Sequence, residues 1–193
     1  PGKFIFRDIA AEAGLDFKYT FGDYTYENIL ESSGSGITIL DYNGDGYMDI
    51  YMLNGTYLEG ISDPDGKVFE NTPNKLYRNN RDGTFTEVGQ QAGVDDRHWS
   101  MAAGAIDYDN DGDTDIYLLN YGPNVFYRNN GDGTFTDIAG KLGLTGPEKL
   151  NGFTKWSVSV AFWDYNKDSR LDIMVGNFLA FDPEYVSPTT PDM

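Results

Sequence analysis

Short runs of alternating apolar and polar residues, bounded by Gly, Asn and Asp, dominate the chain and predict strands in place of long helices. "GITIL", "AAGAI" and "SVAFW" each lead into an aspartate-rich stretch, and "DIYMLN", "DIYLLN" and "DIMVGN" follow it. "KLYRNN" and "VFYRNN" then run through Asp-Gly corners into "TFTEV" and "TFTDI". Glycine after aspartate supplies the positive φ that a tight hairpin corner requires. Helix is expected only as single turns, at "AAEAG" and "GQQAG".

The runs recur in a fixed order, so the chain is built of repeats. Acidic segments begin at Asp41, Asp107 and Asp164; "NKLYRNNRDGTFTEV" (74–88) returns as "NVFYRNNGDGTFTDI" (124–138). "FTEVGQQAGV" and "FTDIAGKLGL" follow, and "FRDIAAEAGL" near the start is of the same type. Four short strands per unit is the pattern of a β-propeller blade. A β-sandwich does not explain why one four-strand order repeats. The expected fold is all-β: a partial β-propeller with blades at 34–94 and 99–144. The first half of a further blade is expected at 154–180, before a Pro-rich tail at 181–193. Residues 1–15 are expected to hold a closing outer strand, near Phe4 to Ile9, and a short turn. Because a closed ring needs about four blades or more, this order predicts a piece of a longer propeller. The segment 57–73 reads as an exposed insertion.

The acidic segments share one spacing. Asp41, Asn43, Asp45 and Asp49 stand at positions one, three, five and nine of the first loop. Asp107, Asp109, Asp111 and Asp115 match them in the second, and Asp164, Asn166, Asp168 and Asp172 in the third. Alternate residues of a tight loop can turn toward one centre. The main-chain carbonyl at position seven (Tyr47, Asp113 or Arg170) adds a donor, and the ninth aspartate can bind through both oxygens. Six or so oxygens suit calcium better than magnesium, which demands stricter octahedral geometry. Two carboxylates about 4 Å apart repel by roughly 4 kcal/mol at an effective dielectric near 20, so metal binding and loop order are expected to be coupled. Up to three Ca2+ are predicted. Gly46 and Gly112 suit the sharp turn at position six, whereas Ser169 does not. With Lys167 and Arg170 also lowering its charge, the third loop is expected to bind most weakly and the second most tightly. An EF-hand would need glutamate at position twelve and flanking helices; Met52, Leu118 and Val175 stand there instead.

Composition narrows the function classes. Fourteen Tyr, 12 Phe and 3 Trp supply a core, which argues against global disorder. The formal net charge of −17 repels nucleic acid and anionic membranes and favours cations. With no cysteine, disulfides and thiolate sites are excluded, and His98 as the sole histidine disfavours zinc. No apolar run reaches the length of a membrane span.

The segments "DYDNDGDTDIYLLN" and "YRNNGDGTFTDIAGKLGL" resemble FG-GAP/VCBS repeats, the calcium-loop propellers also found in integrin α-subunits. With "FRDIAAEAGLDF", "ESSGSG" and "LYRNNRDGTF", the whole chain is similar to the N-terminal part of ASPIC/UnbV (cartilage acidic protein-like) proteins. That resemblance implies a secreted, extracellular or cell-surface propeller with calcium between the first and second strands of a blade. The expected function is a non-catalytic adhesion or interaction scaffold, with a protein or glycan ligand on loops or exposed strand edges. Alternatives are a self-associating subunit of a calcium-dependent assembly or filament, and part of a polysaccharide-active enzyme. Trp99 and Trp156 are expected to pack between blades, and Tyr42, Tyr108 and Tyr165 to wall the loops. His98 is expected at a partly packed blade entry, and Asp95 and Asp96 in solvent. "NGT" at Asn54 is the one glycosylation sequon.

Overall fold

A computed structural model describes residues 5–23, 28–63 and 68–178. Fourteen short elements follow in chain order. The first sheet comprises β1 (Ile37–Leu40), β2 (Asp49–Met52), β3 (Lys75–Asn79) and β4 (Phe85–Glu87), followed by the one-turn helix α1 (Gly89–Ala92). The second comprises β5 (Trp99–Ile106), β6 (Asp115–Tyr121), β7 (Val125–Asn129) and β8 (Phe135–Asp137), followed by α2 (Ala139–Leu142). A small hairpin, β9 (Lys149–Leu150) and β10 (Phe153–Thr154), precedes the pair β11 (Ser157–Trp163) and β12 (Asp172–Asn177). Both four-stranded sheets are antiparallel meanders in sequence order, as the repeated strand–turn pattern predicts. The fold is an all-β partial propeller. The segments 34–94 and 99–144 each enclose one sheet and its helix.

Register explains how the acidic loops are held. Leu40 pairs with Asp49, Ile106 with Asp115 and Trp163 with Asp172. In every repeat the ninth-position aspartate thus sits directly across from the residue that ends the first strand. The loop is anchored to a ladder at both ends.

The first strands form the inner layer, with β5 lying between β1 and β11. Thr38 donates its hydroxyl to the Ala103 carbonyl across that seam (2.9 Å). A side chain at Gly104 would start 2.7 Å from Phe162 and Val160, so glycine allows the second and third inner strands to close up. Tyr51, Leu53 and Leu76 of the first sheet form one buried cluster with Ile116, Leu118 and Tyr127 of the second. Burying each such side chain stabilises by roughly 1.5–3 kcal/mol. Trp99, at the start of β5, and Trp156, just before β11, are buried with Leu30, Met101 and Tyr121 where adjacent blades meet, as their matching places in the repeats predict. Ile37 and Ile39 occupy the positions of Ala103 and Ala105, which contact the blade before them, yet are 59% and 54% exposed.

Three expectations are corrected. Residues 5–9 pair with no strand among the described residues, and Phe6 is 99% exposed. A closing strand needs a neighbour's ladder, and among the described residues the edge strand β4 meets the turn that follows: Phe85 N–H donates to the Ala13 carbonyl (2.8 Å). Asp96 is not in solvent. Its side chain is 7% exposed and accepts hydrogen bonds from the His98 and Ser100 side chains and from Asn120 Nδ2. Its main-chain carbonyl accepts Asn74 N–H from the first blade (2.8 Å), and its carboxylate stabilises the His98 imidazolium and raises its pKa. Asn54 is 2% exposed; its side chain accepts Thr20 N–H and donates to the Lys18 and Pro73 carbonyls, which closes the sequon in the folded chain. Phe4, part of the insertion (64–67) and the tail at 181–193 lie outside the described residues.

Candidate metal centre

Each acidic loop is closed by its own carboxylates. In the second, Asp107 accepts the N–H groups of Asp111 (3.1 Å) and Gly112 (3.0 Å). Asp111 accepts that of Asp113, and Asp115 accepts that of Tyr108 through Oδ2. The other oxygen of Asp115 accepts Asn129 N–H from β7 at 2.8 Å, so this carboxylate ties loop to blade. The first loop repeats the scheme: Asp41 with Asp45 and Gly46, Asp45 with Tyr47, Asp49 with Tyr42 and Asn79. The third repeats it with Asp164, Asp168 and Asp172. The sequence displays the aspartates but not this double duty, in which each oxygen keeps a lone pair after accepting a main-chain donor.

Among the described residues, only Asp107, Asp109 and Asp115 bring a carboxylate oxygen apiece within 4.8 Å of one another. Oxygens about 2.4 Å from one ion on opposite sides stand about 4.8 Å apart, so this triad could hold a hard divalent cation. Asp111 makes no part of the triad, although its N–H donates to Asp107. In the first and third loops asparagine replaces the third carboxylate, and both amides turn inward: Asn43 donates to Asp45 (3.3 Å) and Asn166 to Asp168 (3.1 Å).

Charge in the second loop is unrelieved. Burial, with repulsion from Asp109 and Asp111, pushes Asp115 up to about 6 even against its two N–H donors. Asp49 moves upward for the same first reason. Asp45 moves down, because Arg81 bonds to it.

Position six is left-handed in all three loops, and so is position four: Gly44 (φ 66°), Asn110 (58°) and Lys167 (63°) precede Gly46 (83°), Gly112 (93°) and Ser169 (66°). Ser169 therefore adopts the turn that its side chain disfavours, and Lys167 does the same. A non-glycine residue there costs roughly 1–2 kcal/mol. Ser169→Gly is expected to raise the urea midpoint by the equivalent of about 1 kcal/mol, since the native φ is retained without the steric penalty. An unchanged midpoint would show that the loop relieves the strain another way.

Tyr42 stacks on Phe135 and Tyr108 meets Phe126 edge-on, so both wall their loops. Tyr165 is exposed, because no counterpart of β3 and β4 covers it among the described residues. Tyr47 and Arg170, expected to offer carbonyls, are exposed on their loops.

A recurring polar chain at the far end of the blades escaped the sequence reading. Asn74 accepts Asn54 N–H and donates to the Tyr51 hydroxyl, which donates to the Val94 carbonyl. Asn124, Asn120, Tyr117 and Leu144 repeat it. The signal was present as "DIY" and "LN" at matching places in two repeats. Nearby, an open cleft of about 570 Å³ is lined by Thr56, Glu59, Glu70, Arg97, His98 and Tyr121. It adjoins Trp99, which begins β5, whereas the acidic loop follows Ile106 at the other end.

A family model described as FG-GAP-like repeat matches residues 62–118 and 107–175, together more than half of the chain. The stretch common to both matches, 107–118, is the second acidic loop and the start of β6. Cartilage acidic protein 1 from Homo sapiens is 35% identical over 122 residues, 62% of this chain and 14% of that protein. The Mus musculus protein of the same name is 34% identical over 122 residues, with the same shares. The chain thus spans about 14% of the length of the curated relatives it matches.

Proposed function

The chain belongs to the FG-GAP-like repeat family, and from that premise we propose a calcium-binding extracellular interaction module without catalytic activity. Calcium rigidifies the acidic loops at one end of the blades, and a protein or glycan partner engages loops or strand edges held in place by that rigidity. The observation that carries the reading is the second loop: three carboxylate oxygens within 4.8 Å, on a frame already fixed by main-chain donors. An all-oxygen, strongly acidic donor set without nitrogen or sulfur suits a hard cation. In this reading the ligands are Asp107, Asp109, Asp111, Asp115 and the Asp113 carbonyl in the second loop. Asp41, Asn43, Asp45, Asp49 and the Tyr47 carbonyl serve the first; Asp164, Asn166, Asp168, Asp172 and the Arg170 carbonyl serve the third. The extracellular setting is carried over from relatives named for cartilage. It also suits the affinity range, since extracellular calcium is plentiful enough to fill weak sites.

Calorimetric titration of calcium into chelator-treated protein, with thermal melts alongside, tests this. Binding to the native state at a hundredfold excess over Kd adds about 2.7 kcal/mol per site, so the melting temperature should rise clearly with calcium. No heat of binding and an unchanged melt would sink the proposal.

A further inference from the structure

In the turn of the hairpin beside the acidic loop, the two complete blades differ at one residue. The second has Gly131 between Asn130 and Asp132, at φ 75°. The first has Arg81 at the matching place, forced into the same left-handed conformation at φ 67°. Arginine is strained there and glycine is not, so its side chain is expected to make a compensating contact. Its guanidinium reaches Asp45 Oδ2 at 2.9 Å and lies over the Tyr47 ring at 5.0 Å. Asp45 also takes the Asn43 amide and Tyr47 N–H, so its oxygens are engaged from three sides. The second loop receives nothing equivalent from this position, because Gly131 has no side chain to offer it.

We propose that Arg81 is a resident counter-ion of the first loop that competes with calcium for Asp45, so that the second loop fills at lower calcium and the first only as the guanidinium is displaced. This rests on the acidic loops being calcium sites. The competition is electrostatic: one unit charge already neutralises the carboxylate an incoming ion would use, and a guanidinium–carboxylate hydrogen bond must break first. Two repeats of one pattern would then respond at two calcium levels, the hairpin residue widening the interval that Asn43 in place of Asp109 opens.

The test follows the Gly46 and Gly112 amides, one in each loop, by NMR of the isotopically labelled full chain during titration with calcium chloride. In the wild type the Gly112 signal should saturate at lower calcium than Gly46. In both Arg81→Gly and Arg81→Ala the Gly46 midpoint should fall about tenfold, with Gly112 unmoved. The alanine variant keeps the backbone strain and removes the charge; if only glycine lowered the midpoint, strain and not competition would be the cause, and the proposal would be overturned. Equal midpoints for the two loops in the wild type, or a Gly46 midpoint indifferent to both variants, would also overturn it while leaving calcium binding intact. No response of either amide would remove the calcium reading itself.

Discussion

Asp115→Ala is expected to destabilise the metal-free protein by about 3 kcal/mol and to abolish calcium binding at the second loop. The side chain is 0% exposed and accepts two main-chain donors, Tyr108 N–H from the loop and Asn129 N–H from β7. Leaving a buried donor unpaired costs roughly 1–3 kcal/mol, and alanine leaves both unpaired while opening a small void. Guanidinium unfolding in chelator measures the first effect, and calorimetric calcium titration the second. Asp109→Ala separates the two roles. Asp109 belongs to the triad but is exposed, so its loss should remove the ion with little change in metal-free stability. Equal stability of the Asp115 variant and wild type in chelator would mean that the carboxylate is a ligand only and does not tie the loop to β7.

Calcium affinity is expected to fall about tenfold per pH unit on acidification below pH 6, while the metal-free protein moves the other way. Asp115 has a pKa near 6 in the fold, raised from 3.8 chiefly by burial. A carboxylate with a raised folded pKa contributes stability that is fully present below its unfolded value and lost as pH rises through the folded one. Metal-free protein should therefore lose stability between about pH 4 and 6, with Asp49 acting in the same direction. Calcium must displace the proton, so below pH 6 one proton leaves per ion bound and affinity rises with pH. Carboxylates held low, Asp45 by Arg81 and Asp82 by Thr84, act oppositely and only below about pH 4. Melts in chelator from pH 4 to 7, paired with calcium titrations at the same values, check both arms. A calcium affinity flat across that window would place the proton elsewhere than on a ligand.

These expectations depend on two kinds of residue. The aspartates of the loops are legible in the sequence because a metal site needs oxygens at fixed spacing, and spacing is what a sequence displays. Asn129 is not legible in this way. It looks like one more polar residue in "YRNN", yet its N–H holds Asp115 and its amide donates to the Tyr42 carbonyl of the blade before at 2.7 Å. Asp96 was placed in solvent for a similar reason: adjacent acids in a loop ordinarily face water. Only the folded chain brings the His98, Ser100 and Asn120 side chains around it. Asn54 reads as a sequon by its neighbours in sequence and as a buried junction by its neighbours in space.

By itself the sequence determined the repeating strand order, the Asp-Gly corners, the three acidic loops and the burial of Trp99 and Trp156. Each follows from local alternation, turn chemistry or the recurrence of one unit, and none needs a distant partner. Which loop gathers three carboxylates was also legible, since Asp109 stands where the other loops have Asn43 and Asn166; tertiary structure alone decided which loop carries a counter-ion. Asp45 and Asp111 hold the same place in their loops, but the hairpin folding over the first carries Arg81 and that over the second carries Gly131. Arg81 lies 36 residues beyond Asp45, and only pairing of β3 with β4 sets it above the loop. Tertiary structure also left residues 5–9 without a ladder among the described residues, because a strand forms only where another offers its edge.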